Sequence, residues 1–313
     1  MKFLFLFLLS LCASVLPAQT IIELKPGGGV RGKTVEDYRD EQRMAEVARK
    51  DSLAYVDHLR RAFNALSTDS LDEAERRFRL ALKLRPEAPG NHVVHYNLAL
   101  IELARGKCAD AIAQLNPLIK DYPLYYDARL ARAEAELRSG LLREAEEDAG
   151  VLLNRETALG VADDVYRRAR FVRAAARYRL RLYTEARTDL QLLLQQEPDN
   201  ENARLLETLI LQKTGQTNEA LNRLNLIVAA NPQSIDALTT RAGLEAELQM
   251  YARAKADYDA LIALCPQESE FYLQRAKMLI NLSEKTAARR DLDTAVKLGV
   301  PHGTVQPLYN LTR

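Results

Sequence analysis

Tryptophan is absent from the 313-residue chain, cysteine occurs three times, histidine four times, and neither sign of charge is in excess, with 44 Lys and Arg against 43 Asp and Glu. Three cysteines are too few for a disulfide framework. A balance this close to neutral offers no broad attraction for nucleic acid. With 13 Gly, 11 Pro and 28% charged residues, the composition is neither collagen-like nor low-complexity. The usual chemical signatures are missing as well: there is no G-x-S-x-G elbow, no Walker glycine loop and no H-E-x-x-H. Gly27-Gly28-Gly29 followed by Gly32-Lys33-Thr34 resembles a phosphate-binding loop only superficially, because its glycine spacing is short and no apolar strand leads into it. His92 and His95 stand three apart on a predicted helix with no third ligand evident, and Cys108 and Cys265 lack the His and Asn partners of a nucleophile. The sequence therefore assigns no catalytic residue, no metal ligand and no cofactor, and the expected function is non-enzymatic.

Long hydrophobic runs are equally scarce. The exception is Phe3 to Leu16, preceded by Met1-Lys2 and followed by Pro17-Ala18-Gln19-Thr20, which has the three-part pattern of a secretory signal peptide with cleavage expected after Ala18. The run is shorter than the roughly 20 residues needed to span a bilayer. Cys12 does not fit lipidation, because Leu9 stands where a lipoprotein signal needs a small residue. Residues 1–18 are thus expected to direct export, to the periplasm or outside the cell, with no membrane span in the mature chain.

What is present is repetition. Seven alanines, Ala74, Ala111, Ala145, Ala186, Ala220, Ala254 and Ala288, follow one another at intervals of 37, 34, 41, 34, 34 and 34 residues. Four residues after them stand Phe78, Leu115, Ala149, Leu190, Leu224, Tyr258 and Leu292. Seven after them stand Ala81, Leu118, Leu152, Leu193, Ile227, Leu261 and Ala295, so each trio shares one helical face. Twelve residues after five of the alanines comes a proline: Pro86, Pro123, Pro198, Pro232 and Pro266. Twelve residues before them the small residue recurs as Ala62, Ala99, Ala133, Ala174, Thr208, Ala242 and Ala276, and Gly106, Gly140 and Gly215 mark the turns between. Each unit reads as helix, tight turn, helix and proline stop.

With these positions in register the chain resembles the tetratricopeptide-repeat family. The resemblance covers residues 55–302, as units starting near 55, 92, 126, 167, 201, 235 and 269. It implies an all-α fold, a right-handed superhelical solenoid of about seven helix-turn-helix repeats acting as a protein-binding scaffold. One pair of helices cannot cover its own apolar face, so neighbouring pairs must stack. Residues 36–54 are expected to form an N-terminal capping helix, 19–35 a flexible leader and 303–313 a short extended tail. The two longer intervals place insertions around Glu87–Asn91 and Glu156–Asp164, and Pro117 is expected to kink the second helix of the second repeat.

Arginine outnumbers lysine 32 to 12. Sixteen residues after the arginine preceding the small residue stands an aspartate in four repeats. This predicts structural ion pairs Arg132–Asp148, Arg173–Asp189, Arg241–Asp257 and Arg275–Asp291, exposed and individually worth about 0–1 kcal/mol. The first repeat has Arg61 and Arg77 at these positions, and the second and fifth lack the arginine and carry Gln114 and Arg223 in place of the acid. The fourth repeat holds Arg167, Arg168, Arg170, Arg177, Arg179 and Arg181 among Phe171, Tyr178 and Tyr183. Two readings stand: a basic and aromatic patch that grips an acidic segment of a partner, or a solvated helix whose arginines pair with acids of a neighbouring repeat.

By the family resemblance the first helices line a concave groove. The residues expected there are Leu59, Phe63, Tyr96, Leu100, Leu130, Phe171 and Tyr178, with Arg168 and Arg179 orienting a bound protein or peptide. The family's carboxylate clamp needs Lys and Asn at groove positions where this chain has few. The expected function is a partner-binding scaffold of the cell envelope, with an accessory component of an envelope secretion complex as the alternative.

Overall fold

The recurring alanine is fully buried in all seven repeats, from Ala74 to Ala288. The residues four and seven positions later are buried with it in every case, as are Ala62, Ala99, Ala133, Ala174, Thr208, Ala242 and Ala276 on the preceding helix. Small side chains at two fixed points let the helices of a unit approach closely, and the larger apolar residues fill the seam to the next unit.

A computed structural model describes residues 35–154 and 161–312. The expected signal segment 1–18, nearly all of the leader and the first part of the insertion after the third repeat lie outside the described residues. Among those described there are fifteen α-helices and no strand. The repeats pair α1 (Val35–Ser67) with α2 (Leu71–Leu84), α3 (Asn91–Ala104) with α4 (Cys108–Asp121), α5 (Tyr126–Ser139) with α6 (Leu142–Leu152) and α7 (Asp163–Arg179) with α8 (Tyr183–Gln196). They continue with α9 (Glu201–Lys213) and α10 (Thr217–Ala230), α11 (Ile235–Glu247) and α12 (Tyr251–Leu264), and α13 (Ser269–Asn281) and α14 (Lys285–Lys297). A last helix, α15 (His302–Leu311), closes the array. Each second helix packs on its own first helix and on the first helix that follows, giving an all-α repeat solenoid.

The turn inside each repeat has one geometry throughout. The residue five before the buried alanine adopts positive φ seven times, as Asp69, Gly106, Gly140, Arg181, Gly215, Gln249 and Ser283. Three repeats fill this left-handed position with glycine and four accept a side chain there. Two later first helices add a side-chain cap, with Asn200 and Ser234 accepting from the amides of Ala203 and Ala237. Helix α4 runs unbroken through Pro117.

Both ends differ from expectation. The N-terminal capping helix is not separate, since α1 is continuous from Val35 through the first helix of the first repeat. Nor does it cap: residues 39–50 are exposed throughout, including Met44 at 72% and Val47 at 52%. Two large apolar residues in this stretch form too thin a stripe to cover a repeat, and the helix is decorated with ion pairs such as Lys50–Glu46 at 3.0 Å. At the other end, the described part of the expected tail, residues 303–312, is not extended. Pro301 starts α15, and Val305, Leu308 and Tyr309, spaced as one helical face, pack on Leu273, Ala276, Leu292 and Ala295. Val305 is fully buried, and the Tyr309 hydroxyl donates to Asp293 at 2.5 Å.

Candidate partner-binding face

First helices of successive repeats touch one another, α3 with α5, α5 with α7 and α7 with α9, whereas second helices of adjacent repeats share no comparable interface among the described residues. The first helices therefore line the narrower, inner face. Polar bridges cross this face between repeats: Arg168 donates to Glu134 at 2.7 Å, Gln212 donates to Glu247 at 2.6 Å, and Arg179 donates to the carbonyl of Leu137.

Eight of the nine residues expected in the groove keep some exposure. Leu59 and Phe63 lie half-buried against the first core, where the Phe63 ring meets Phe78 edge-on at 5.2 Å. Tyr96 and Leu100 flank the core shared by the second and third repeats, and Phe171 and Tyr178 that shared by the fourth and fifth. Burial pushes the Tyr96 hydroxyl up to about 12, with the charge of Asp127 adding to the effect. Tyr178 is raised by burial too, and its ring lies 5.9 Å from Tyr183. Leu130 does not belong to this set. It is 1% exposed and packed with Ala133, Leu152, Val165 and Val172, because close contact between α5 and α7 turns its position into the seam.

The arginines of the fourth repeat divide. Arg168 reaches Glu134 in the neighbouring first helix, Arg167 reaches Glu197 at 2.6 Å, and Arg177 spans Glu146 and Asp189 at 2.9 and 2.8 Å. Arg170 is buried over the Tyr166 ring, to whose hydroxyl it donates at 2.7 Å. Most of this cluster is thus engaged internally, leaving Arg179 and Arg181 exposed at the turn.

All four predicted Arg–Asp contacts are present, and all are two-pronged. Nε and Nη2 of Arg132 donate to Asp148 at 2.6 and 2.8 Å, and those of Arg173 to Asp189 at 2.9 and 2.6 Å. Arg241 and Arg275 hold Asp257 and Asp291 in the same way, at 2.6–2.8 Å. They are not exposed pairs. The aspartates retain only 2–9% side-chain exposure, which moves the interactions out of the weak surface class. Sequence reasoning missed the third prong: Nη1 of Arg132, Arg241 and Arg275 reaches back to Asn116, Asn225 and Asp259 on the preceding second helix. Those acceptors stand sixteen residues before the arginine, a signal visible in the repeat frame. Each of these three guanidinium groups therefore joins three helices of two repeats.

A shallow cleft of about 560 Å³ opens beside the inserted Glu87–Asn91 loop, lined by His92, His95, Gln114, Pro117 and Tyr122 among others. His92 contacts the Pro89 carbonyl at 2.9 Å and stacks near Tyr122 at 4.9 Å. No group of three or more His, Cys, Asp or Glu placed to hold a metal occurs among the described residues. Cys108 and Cys265 are free, half-buried thiols. No described helix is long and apolar enough to cross a membrane.

Two family models match within the solenoid. Residues 96–151 match a tetratricopeptide repeat model, and residues 167–216 match the Fis1 C-terminal tetratricopeptide repeat. The chain carries tetratricopeptide repeats. Among solved structures, a tetratricopeptide-repeat protein from Parabacteroides merdae superposes with a TM-score of 0.67 at 22% identity, covering 83% of this chain and 99% of that one. PilW, a type IV pilus biogenesis factor, superposes at 0.57 with 17% identity, covering 71% of this chain and 98% of its own. PilF of Pseudomonas aeruginosa does so at 0.51 with 19% identity, covering 70% and 95%. These likenesses are of fold. No curated protein sequence matches the chain. Tetratricopeptide repeats bind protein partners and are typically non-catalytic scaffolds, and the inner face of this array is where its half-buried aromatic residues gather.

Proposed function

We propose that this tetratricopeptide-repeat protein is a non-catalytic scaffold of the cell envelope that holds a partner peptide or protein along its inner face. The observation that carries the reading is the line of partly exposed apolar residues on first helices, Tyr96, Leu100, Phe171 and Tyr178, which offers rigid aromatic anchors at little entropic cost. Arg179 at the end of α7 orients the bound segment, while Arg168 acts through its bridge to Glu134. The N-terminal sequence Met1 to Thr20 supports export. A second reading, an accessory part of an envelope assembly or secretion complex, draws on the fold likeness to the pilus biogenesis factor PilW. The test is crosslinking and capture from native cells, comparing the unaltered protein with a Phe171→Ala, Tyr178→Ala double variant. Specific partners lost in the variant support the inner-face reading and identify the process. Partners that persist unchanged place binding elsewhere on the solenoid, and their complete absence argues against a scaffold.

A further inference from the structure

Once the internal pairs are made, another set of cations is left at the edge formed by the turns within repeats. Arg138 and Arg143 flank the Gly140 turn, Arg179 and Arg181 surround the next turn, and Lys213 ends α9 before the one after. All five are exposed. The guanidinium of Arg179 lies over the Gly140 turn, where a Cβ on that glycine would stand 3.7 Å from Nη2, so the third and fourth repeats contribute to one surface. None of the five forms an ion pair among the described residues, in contrast to Arg105 one turn earlier, which Asp72 and Glu75 hold at 2.5 Å. Glu144, Glu185 and Glu219 oppose them on this edge, and Arg223 already holds the last at 2.9 Å. The row is bounded by Asp69 and Asp72 at the first repeat, Asp110 at the second and Glu247 at the sixth. Exposed acids gather on the opposite edge, where first helices begin: Asp163, Asp164, Asp199, Asp236, Glu268 and Glu270. The result is a three-repeat basic strip within a nearly neutral chain.

We propose that this strip on the turns of the third to fifth repeats docks an acidic segment of a partner protein. Guanidinium groups suit carboxylates through two-pronged hydrogen bonding, the spacing of one turn per repeat suits an extended chain, and Leu141, 41% exposed between Arg138 and Arg143, supplies an apolar contact amid the charges. The strip shares Arg179 with the inner face, while Arg138, Arg143 and Lys213, the positions altered in the test, have no part in the inner-face reading.

The probe is a fluorescein-labelled oligoglutamate peptide, followed by anisotropy with the full chain. Binding at low ionic strength that weakens as salt is added is expected. An Arg138→Glu, Arg143→Glu, Lys213→Glu variant should bind at least about tenfold more weakly. An Arg289→Glu, Arg290→Glu, Lys297→Glu variant, with the same change in net charge at exposed sites of the last repeat, should bind as the parent does. The Phe171→Ala, Tyr178→Ala variant should also bind unchanged, which separates this site from the inner face. Thermal unfolding checks each variant, and alanine at the same three edge positions replaces glutamate if reversal prevents folding. Failure of oligoglutamate to bind, or equal weakening in the control reversal, would overturn the proposal. So would binding to phosphatidylglycerol vesicles without binding to the peptide, which would make the strip a membrane-facing surface.

Discussion

Glu207 accepts from Arg223 across the two helices of the fifth repeat, at the junction where Arg132 donates to Asp148 in the third, with the charges exchanged. The same sixteen-residue separation and the same helix pair accommodate either polarity because the packing requires complementary charges at the two positions and is indifferent to their order. Glu207 is 5% exposed, so an arginine in its place would set two cations together in the seam. Glu207→Arg alone is expected to cost about 3–5 kcal/mol in urea unfolding, and adding Arg223→Asp to restore most of it. A coupling energy below about 0.5 kcal/mol in that double-mutant cycle would mean the two side chains contribute independently.

Asp189 is the most buried of the four paired aspartates, holding both Arg173 and Arg177 with 2% side-chain exposure. Replacement by alanine leaves Arg173 without its acid, and Arg177 with Glu146 alone, and should destabilise the protein by about 3–5 kcal/mol. Asp57, which pairs with Arg60 and Arg61 at the surface of α1, makes the contrast. Its replacement by alanine should leave the unfolding midpoint unmoved. Equal effects at the two sites would show that burial does not set the value of these pairs.

How much could be read beforehand depended on whether a feature repeats. Alanines at one spacing and four Arg–Asp pairs at another each recur, and comparison among units of one chain isolates them from background. Glu207 and Arg223 escaped because the comparison sought an arginine first, although the spacing was in view. Leu130 was misplaced for a different reason: its helical position matches those of Tyr96 and Phe171, and only the closer approach of α5 to α7 buries it. Helix α15 was missed because Pro301 and Gly303 suggest a stop, while Val305, Leu308 and Tyr309 fold back only because the fourteenth helix leaves an apolar face to be covered. None of these tertiary effects is periodic in sequence.

Glu136 makes stability depend on pH. Burial, then the nearby charge of Asp148, pushes its carboxyl up to about 7, and its Oε2 has no hydrogen-bond partner. A carboxyl with a raised pKa is more protonated in the folded protein than in the unfolded chain. Its stabilising contribution is thus fully present below the ordinary value of 4.5 and is lost as pH rises through about 7. Glu136→Gln should remove that loss, so its melting temperature should exceed the parent's at about pH 8 and converge with it near pH 4. An identical pH profile for the two proteins would show that the carboxyl is ordinarily ionised in the fold.

Four repeats place a side chain at the left-handed turn position that the other three give to glycine. Gln249, at φ 60°, is exposed, so removing its side chain relieves the turn without opening the core. Gln249→Gly is expected to stabilise the protein by up to about 1 kcal/mol, and Gly140→Ala, at φ 84°, to destabilise it by about 1 kcal/mol. Parallel shifts in both variants would mean that side-chain contacts, and not backbone preference, decide these turns.

The last helix should matter more than its length suggests. A repeat array exposes an uncovered apolar face wherever it stops, and α15 covers that face through Val305, which is fully buried against Leu273 and Leu292. Val305→Ala removes two buried methyl groups and should cost about 2 kcal/mol. Because each repeat touches only its neighbours, the loss should fall first on α13 and α14, seen as faster amide exchange there with the first three repeats unaffected. Deleting residues 301–313 should extend the effect and leave the exposed face prone to self-association at micromolar concentration. If both changes leave exchange in α13 and α14 at the parent rate, the seventh repeat is stable without its cover and α15 is not a cap.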